Sequence, residues 1–312
     1  MEIFSFNGKK TTILESLSDV NKNSLTWIRF VDRTDEKIES LSSFTGIPAE
    51  EFKDFYSFEE RSRLEQGKFL ELIYQVPVVS SGEIKTTPIN IFIVNNMFIT
   101  VERENVSPIS KTASLLKQGK LKFLFKKSIG HFLYYFLDKI NDSFLTSIDK
   151  IANITDILEA KGINVSDKQL TTLYNYNETL TRFNQALLGN LEVLSGLKKS
   201  YFRKFTKVDL EYFSDLYYEK LQILDTDKIQ REVITNLFNY QTVIMSHNLN
   251  LFMKRLTSLT LIIVIPTFIT GLFGMNYALP FQNYPHAFSY IFGFMILFAV
   301  VLYFILRKIG WL

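Results

Sequence analysis

Apolar residues follow two periods over most of this chain, and towards its end polar residues nearly disappear. Four runs rich in β-branched and aromatic residues, 25–31, 69–79, 89–94 and 97–101, predict strands. Asn95-Asn96 between the last two predicts a tight turn, and so a hairpin. Residues 35–44 and 48–56 are amphipathic and suit short helices, the second with Pro48 at its first turn. Residues 1–105 are therefore expected to form an α/β domain. Over 106–207 the period becomes helical. Leu115, Leu121, Phe123 and Leu124 precede a long periodic run over 129–160, which Lys161-Gly162-Ile163-Asn164 breaks. Ser166-Asp167 then offers an N-cap for a second helix reaching about Leu197. Two such helices predict an antiparallel hairpin that packs beside a third.

That third helix dominates the pattern. No Gly or Pro lies between Gly196 and Pro266, so nothing local interrupts it. A helix over 208–276 would be about 100 Å long, and a bilayer's hydrocarbon core takes only about 30 Å of that. A stalk over 208–255 and a membrane span over 256–276 are expected. The stalk's apolar positions are Leu210, Phe213, Leu216 or Tyr217, Leu221, Leu224, Ile229, Val233, Leu237 and Ile244. Their spacing is helical but not a strict heptad seam. A second span is expected over 288–306, after a loop over 277–287 that carries no Lys, Arg, Asp or Glu. Lys254-Arg255 precede the first span, and Arg307-Lys308 open a basic tail over 307–312. By the positive-inside rule both termini are cytoplasmic and the loop is outside. The same basic pairs can be read as a positive belt around a pore, but orientation anchors at the inner leaflet suffice.

Composition narrows the function. A net charge of +3 is too small to imply a nucleic-acid partner. Without cysteine there is no disulfide and no thiolate metal site. The N-terminal Met-Glu-Ile-Phe-Ser-Phe-Asn-Gly lacks the basic and apolar regions of a signal peptide, so the C-terminal hydrophobic pair is expected to direct insertion. No phosphate loop or nucleophile elbow is present, which makes an enzyme the least favoured class and implies no cofactor. His131, His247 and His286 have no mutual ligand spacing. The cluster Lys198-Lys199, Arg203-Lys204 and Lys207 reads as a solvated helix end.

Within the first span, steps of three and four pick out Asn250, Met253, Thr257, Thr260, Val264, Thr267, Gly271 and Gly274 as one helical face. Such a stripe is either a small-residue helix–helix seam or the wall of a pore. A pore requires several copies, because two spans cannot enclose one. From Val233 to Leu312 there is no Asp or Glu, so a cation pore would offer only amide, hydroxyl and carbonyl oxygens. Mg²⁺ gives up its waters reluctantly, and such a wall suits an ion that keeps its hydration shell. Met253 and Leu256 could form apolar rings that gate by dewetting.

Gly274-Met275-Asn276-Tyr277 at the outer end of the first of two C-terminal spans resembles the signature of the CorA magnesium transporters. The resemblance extends to the long stalk, to Pro266-Thr267-Phe268-Ile269, and to the terminus Arg307-Lys308-Ile309-Gly310-Trp311-Leu312. It is sharp from about Tyr212 onward and mainly architectural before that. It implies an α/β cytoplasmic funnel domain followed by a long stalk helix and two transmembrane helices, assembled as a homopentamer in the cell (inner) membrane. By this likeness Gly274, Met275 and Asn276 form the selectivity filter, and Asn276 receives hydrated Mg²⁺. Asn250, Thr260, Val264, Thr267 and Gly271 line the pore, with Met253 and Leu256 as the apolar gate. Tyr212-Phe213-Ser214-Asp215-Leu216-Tyr217 resembles the family's stalk segment with a regulatory carboxylate, here Asp215. The segment from Asp54 to Arg61-Ser62-Arg63-Leu64-Glu65 places Asp54 at the matching acidic position of the funnel. The pair would bind regulatory Mg²⁺ between subunits and hold the pore shut when cytoplasmic Mg²⁺ is plentiful. Taken without the likeness, each is one surface carboxylate among many.

The expected partners are thus divalent cations, membrane lipid and further copies of the chain, with Mg²⁺ as substrate and Co²⁺ or Ni²⁺ as further conducted ions. Relatives that carry zinc have Ile at the position of Met275, so the Met favours Mg²⁺. One departure stands out. The family often has acidic residues after the signature, whereas 277–287 has none. Two alternatives remain: a zinc or other divalent-metal transporter of the same architecture, and a non-conducting membrane-anchored sensor or scaffold with a coiled-coil stalk.

Overall fold

The computed structural model describes residues 1–6, 11–21, 24–31, 34–57, 60–80, 83–160, 166–276 and 284–312. Two compact units emerge, Met1–Thr235 and Asn236–Leu312.

The first unit is built on a seven-stranded sheet of order β2-β1-β3-β7-β6-β5-β4. Its strands are β1 (Glu2–Phe6), β2 (Thr11–Leu14), β3 (Thr26–Phe30), β4 (Arg63–Gln66), β5 (Leu70–Ser80), β6 (Glu83–Val94) and β7 (Met97–Glu102). Only β3 and β7 among the described pairs run parallel. The expected hairpin is present: β6 pairs antiparallel with β7, and Asn95 takes φ 53° in the turn. Asn is among the few residues that visit this left-handed region readily.

Side chains alternate between the sheet's two faces. Ile3, Ile28, Phe30, Phe92, Ile99 and Val101 form one buried cluster with α1 (Asp35–Thr45) and α2 (Ala49–Ser57) through Ile38, Leu41, Phe52 and Phe55. Gly46, with φ +77°, closes α1 where a side chain would be strained. On the other face, Phe4, Trp27 and Phe98 pack against Phe132 and Phe136 of α4 (Ile129–Ala160), and Trp27 stacks on Phe4 at 4.9 Å. Its indole N–H donates to Thr100 Oγ1 at 3.0 Å, which satisfies the one polar atom this burial would otherwise strand. α3 (Ser107–Lys117) lies near α4.

α5 (Asp167–Leu197) begins after Ser166, the N-cap the sequence led us to expect, which the structure extends to a capping box with Gln169. The break at 161–164 lies outside the described residues. The hairpin does more than lie beside a third helix, because α5 packs across β4, β5 and β6. Gly196 permits this: a Cβ there would fall 2.7 Å from Leu64 Cδ2.

α6 (Lys207–Phe273) is one helix of 67 residues that runs through the boundary between the two units. It ends at Phe273, not at Asn276 as the unbroken pattern suggested, because Gly274, Met275 and Asn276 turn out of it. Pro266 does not stop it. Pro266 has no N–H to give, so the carbonyl of Ile262 is released from the helical ladder. α7 (Ala287–Lys308) is slightly longer than the expected span at both ends. The loop residues 277–283 lie outside the described residues.

Candidate functional site

In the first unit, α6 is anchored at its first turn. Asp209 is buried and accepts from the Thr206 N–H and hydroxyl, both at 2.8 Å, while its own N–H donates back to Thr206 Oγ1. Ser128, whose Oγ caps α4 by accepting from His131 N at 3.1 Å, donates to the other Asp209 oxygen. One carboxylate thus ties together the starts of α4 and α6, where the unpaired N–H groups of both helices favour a negative charge. No motif in the sequence flagged Asp209. Its signal was the Thr-x-x-Asp spacing of a cap, which the basic cluster around it obscured.

Farther along, Tyr212 stacks on Tyr134 of α4 at 4.9 Å and meets His131 edge-on at 5.2 Å. Partial burial, and then the field of Lys127, hold His131 below the usual imidazole range. Burial, and then the charges of Asp138, Glu219 and Asp215, push the Tyr134 hydroxyl up. Asp215 therefore stands in an acidic neighbourhood with Asp138 and Glu219. It is exposed, and so is Asp54 on α2. Among the described residues, no three His, Cys, Asp or Glu side chains gather closely enough to hold a metal ion. A single chain therefore presents separate carboxylates, not a finished site.

In the second unit, α6 meets α7 along one face. Ser258 is fully buried, and its hydroxyl lies 2.8 Å from Lys254 O and 3.5 Å from Trp311 O. At the other end, Ile269 and Phe273 share an apolar cleft with Tyr290, Ile291 and Phe294. The stripe is a different face. Asn250, Met253, Thr257, Thr260, Val264, Thr267, Gly271 and Gly274 are all exposed. Thr257 lies about 100° round the helix from Ser258. Within one chain, therefore, α7 does not cover the stripe. Thr260 and Thr267 donate to Leu256 O and Ile263 O, each at 2.8 Å. With their protons so used, the two hydroxyl oxygens can only accept. Met253 and Leu256 are half exposed.

At the end of the helix, Gly274 N–H donates to Thr270 O at 2.9 Å and Met275 N–H to Leu272 O at 3.3 Å. A Cβ at Gly274 would sit 3.3 Å from Thr270 O, so the close turn favours glycine. Asn276 is exposed and follows directly. The turn brings Gly274, Met275 and Asn276 to one end of the stripe.

α6 and α7 both carry segments long and apolar enough to cross a membrane. The family model described as CorA-like Mg²⁺ transporter protein matches residues 22–308. The chain belongs to this family. It is 31% identical over 291 residues to the cobalt/magnesium transport protein CorA of Methanocaldococcus jannaschii, covering 92% of each chain. It is 23% identical to the protein of the same name from Thermotoga maritima, covering 99% of this chain and 90% of that one. The complete structure of the CorA magnesium transporter from M. jannaschii superimposes with a TM-score of 0.90 at 28% identity, covering 100% of this chain and 99% of the other. The likeness spans the α/β domain, the long helix and the membrane helices together. The chain is an integral membrane protein of a transporter family, and that family is not one of enzymes.

Proposed function

We propose that this protein is a homo-oligomeric channel, five copies by family likeness, that passes hydrated Mg²⁺ down its electrochemical gradient. The observation that carries this reading is the exposed stripe on α6, polar or small at six of its eight positions and not covered by α7, in a segment without an Asp or Glu from Val233 onward. Several copies around an axis would present Thr260 and Thr267 oxygens as acceptors for the protons of an ion's first-shell waters. A bare divalent ion would need carboxylates to offset its desolvation. Asn276, with Gly274 and Met275, would form the outer filter. Asn250, Val264 and Gly271 would complete the pore wall, and Met253 and Leu256 the gate. The names of the relatives support Co²⁺ as a second conducted ion. Lys254-Arg255 and Arg307-Lys308 support cytoplasmic termini.

Asp54 and Asp215 are assigned to regulatory Mg²⁺ binding between neighbouring copies, which fits two exposed carboxylates that no cluster completes within one chain. The deciding experiment is Mg²⁺ influx into proteoliposomes, read by an internal dye. Influx through the native protein is expected, reduced at least about tenfold in Asn276→Ala, a loss in line with removing preorganised polar groups from a selective site. A native protein without influx would remove the channel reading, whereas unaltered influx in the variant would remove only the filter assignment. For the regulatory pair, Asp215→Asn should weaken the protection that Mg²⁺ gives the stalk against protease. Undiminished protection would exclude Asp215.

A further inference from the structure

The face of α6 buried inside the first unit repeats in strict steps of three and four: Phe213, Leu216, Lys220, Ile223, Asp227, Gln230 and Ile234. This is a heptad seam, and three of its seven positions are polar. Lys220 and Asp227 are fully buried and Gln230 nearly so. Lys220 Nζ lies 5.2 Å from the ring of Tyr74 on β5 and 4.9 Å from that of Phe144 on α4. It has no hydrogen-bond partner among the described residues, and neither has the Tyr74 hydroxyl. Beside it, Asn141 of α4 donates to Glu219 at 3.0 Å and leaves its own carbonyl oxygen unpaired. Seven residues on, Asp227 accepts from Arg231 Nε at 3.2 Å and from Asn184 of α5. Its second oxygen and the Gln230 amide nitrogen are again without partners among the described residues.

Every polar member of the seam thus keeps one atom that no described residue satisfies and that water would satisfy if the seam opened. Seams of stable helix pairs bury Leu, Ile and Val at such positions. This one opposes its own closure at three of its seven positions. We propose that the α6 seam is a proton-responsive latch, built to release the stalk helix from α4, α5 and β5 by small changes in the ionisation of Lys220 and Asp227.

Burial sets the direction of both titrations. It pushes Lys220 down to about 7, opposed only by Glu219, and pushes Asp227 up to about 6 against Arg231 and Asn184. The groups facing Lys220 are Tyr74 from β5, Glu219 on its own helix, and Asp138 and Asp142 from α4, which act through Glu219. Lys139 pairs with both of those aspartates. From the end of α5, Lys198 sits 3.6 Å over the ring of Tyr217.

The sign follows from linkage. A lysine whose packed-state pKa is depressed loosens the seam as pH falls from about 10 towards 7, because the released helix binds the proton more readily. An aspartate whose packed-state pKa is raised loosens it as pH rises from about 4 to 6, because the packed helix holds the proton more tightly. Both charges are buried together only between about pH 6 and 7, so the latch is weakest there and tightens on either side. A stalk meant to move would be poised near neutrality.

Hydrogen exchange of the 213–234 segment in the full-length protein in nanodiscs, corrected for intrinsic rates from pH 5 to 9, tests this. A protection minimum between pH 6 and 7 is expected. Lys220→Met should raise protection there about tenfold and abolish the rise on the alkaline side, and Asp227→Asn should abolish the rise on the acid side. Protection that is flat with pH, or a profile that both variants leave unchanged, overturns the latch. Asp227→Asn is nearly isosteric, so it decides its own limb even if Lys220→Met does not fold. The latch acts on transport only if the channel reading holds, but exchange reports on the seam whether or not Mg²⁺ flows.

Discussion

At the level of single residues, Gly130 shows how a close approach fixes the start of the stalk. A Cβ there would lie 2.4 Å from Asp209 Cγ and 2.6 Å from Oδ2, closer than any real contact. Gly130→Ala must therefore displace the carboxylate that links the starts of α4 and α6. We expect a loss of about 1–3 kcal/mol, the usual cost of overpacking, visible as a lower thermal midpoint of the purified protein. Gly67→Ala is the control: nothing lies within 4 Å of a Cβ there, and its midpoint should hardly move. Equal midpoints for the two variants would mean that Asp209 can step aside freely. The sequence could not single out Gly130, because Asp209 lies 79 positions away. Nor did the sequence place the turn at Gly274, which the unbroken pattern kept inside the helix, although that turn rests on Thr270 and Gly271 only three and four residues back.

Among the elements, legibility followed locality. The turn and the paired part of the hairpin of β6 and β7 were expected, because they lie within one short stretch. Edge strands β2 and β4, each of 4 residues, were not expected, and neither was β1 beside β2. β4 gains its pairing from β5, β1 from β3 and β2 from β1, not from their own pattern. The start of β6 was missed because Pro88 interrupts its pattern, although Pro88 sits within the ladder opposite Gln75. In α6, the apolar positions suggested only a loose seam. Of these, Phe213 and Leu216 are fully buried, while Ile229 is 60% exposed. The strict seam was hidden because polar residues occupy three of its places. At the first turn of that helix, Thr206→Ala removes the cap hydroxyl that both donates to and accepts from Asp209. A cost of about 1 kcal/mol is expected, with hydrogen exchange accelerating first over 207–210. Exchange unchanged there would show that Asp209 and Ser128 hold the turn alone.

For the whole molecule, the 0.90 TM-score to a complete CorA structure extends the resemblance over the N-terminal half, where motifs alone had been weak. The acid-free stretch 277–287 carries a consequence at this scale. Acidic rings at a pore mouth concentrate cations by focusing the field. Without them, polyvalent cations should block influx more weakly than in a relative with carboxylates after the signature, measured side by side in the same lipid. Equal block would assign the blocker's site to Asn276 and the backbone. On the proposed reading, the exposed Asp54 and Asp215 would complete a Mg²⁺ site only between neighbouring copies, each copy supplying half of it.

The sequence by itself determined the two membrane helices, the uninterrupted stalk and the stripe on α6, but not the turn at Gly274 that ends the helix. Each of these depends on residues within a few positions of one another and on the thickness of a bilayer. Only the tertiary structure decided which face of the stalk is buried. Whether Lys220 and Asp227 lose water depends on Tyr74, Phe144 and Asn184, which reach them from distant parts of the chain. A polar residue in a helical pattern reads as solvated until its partners are known. Burial is a property of the packed molecule, and so is the strain that burial places on a charge.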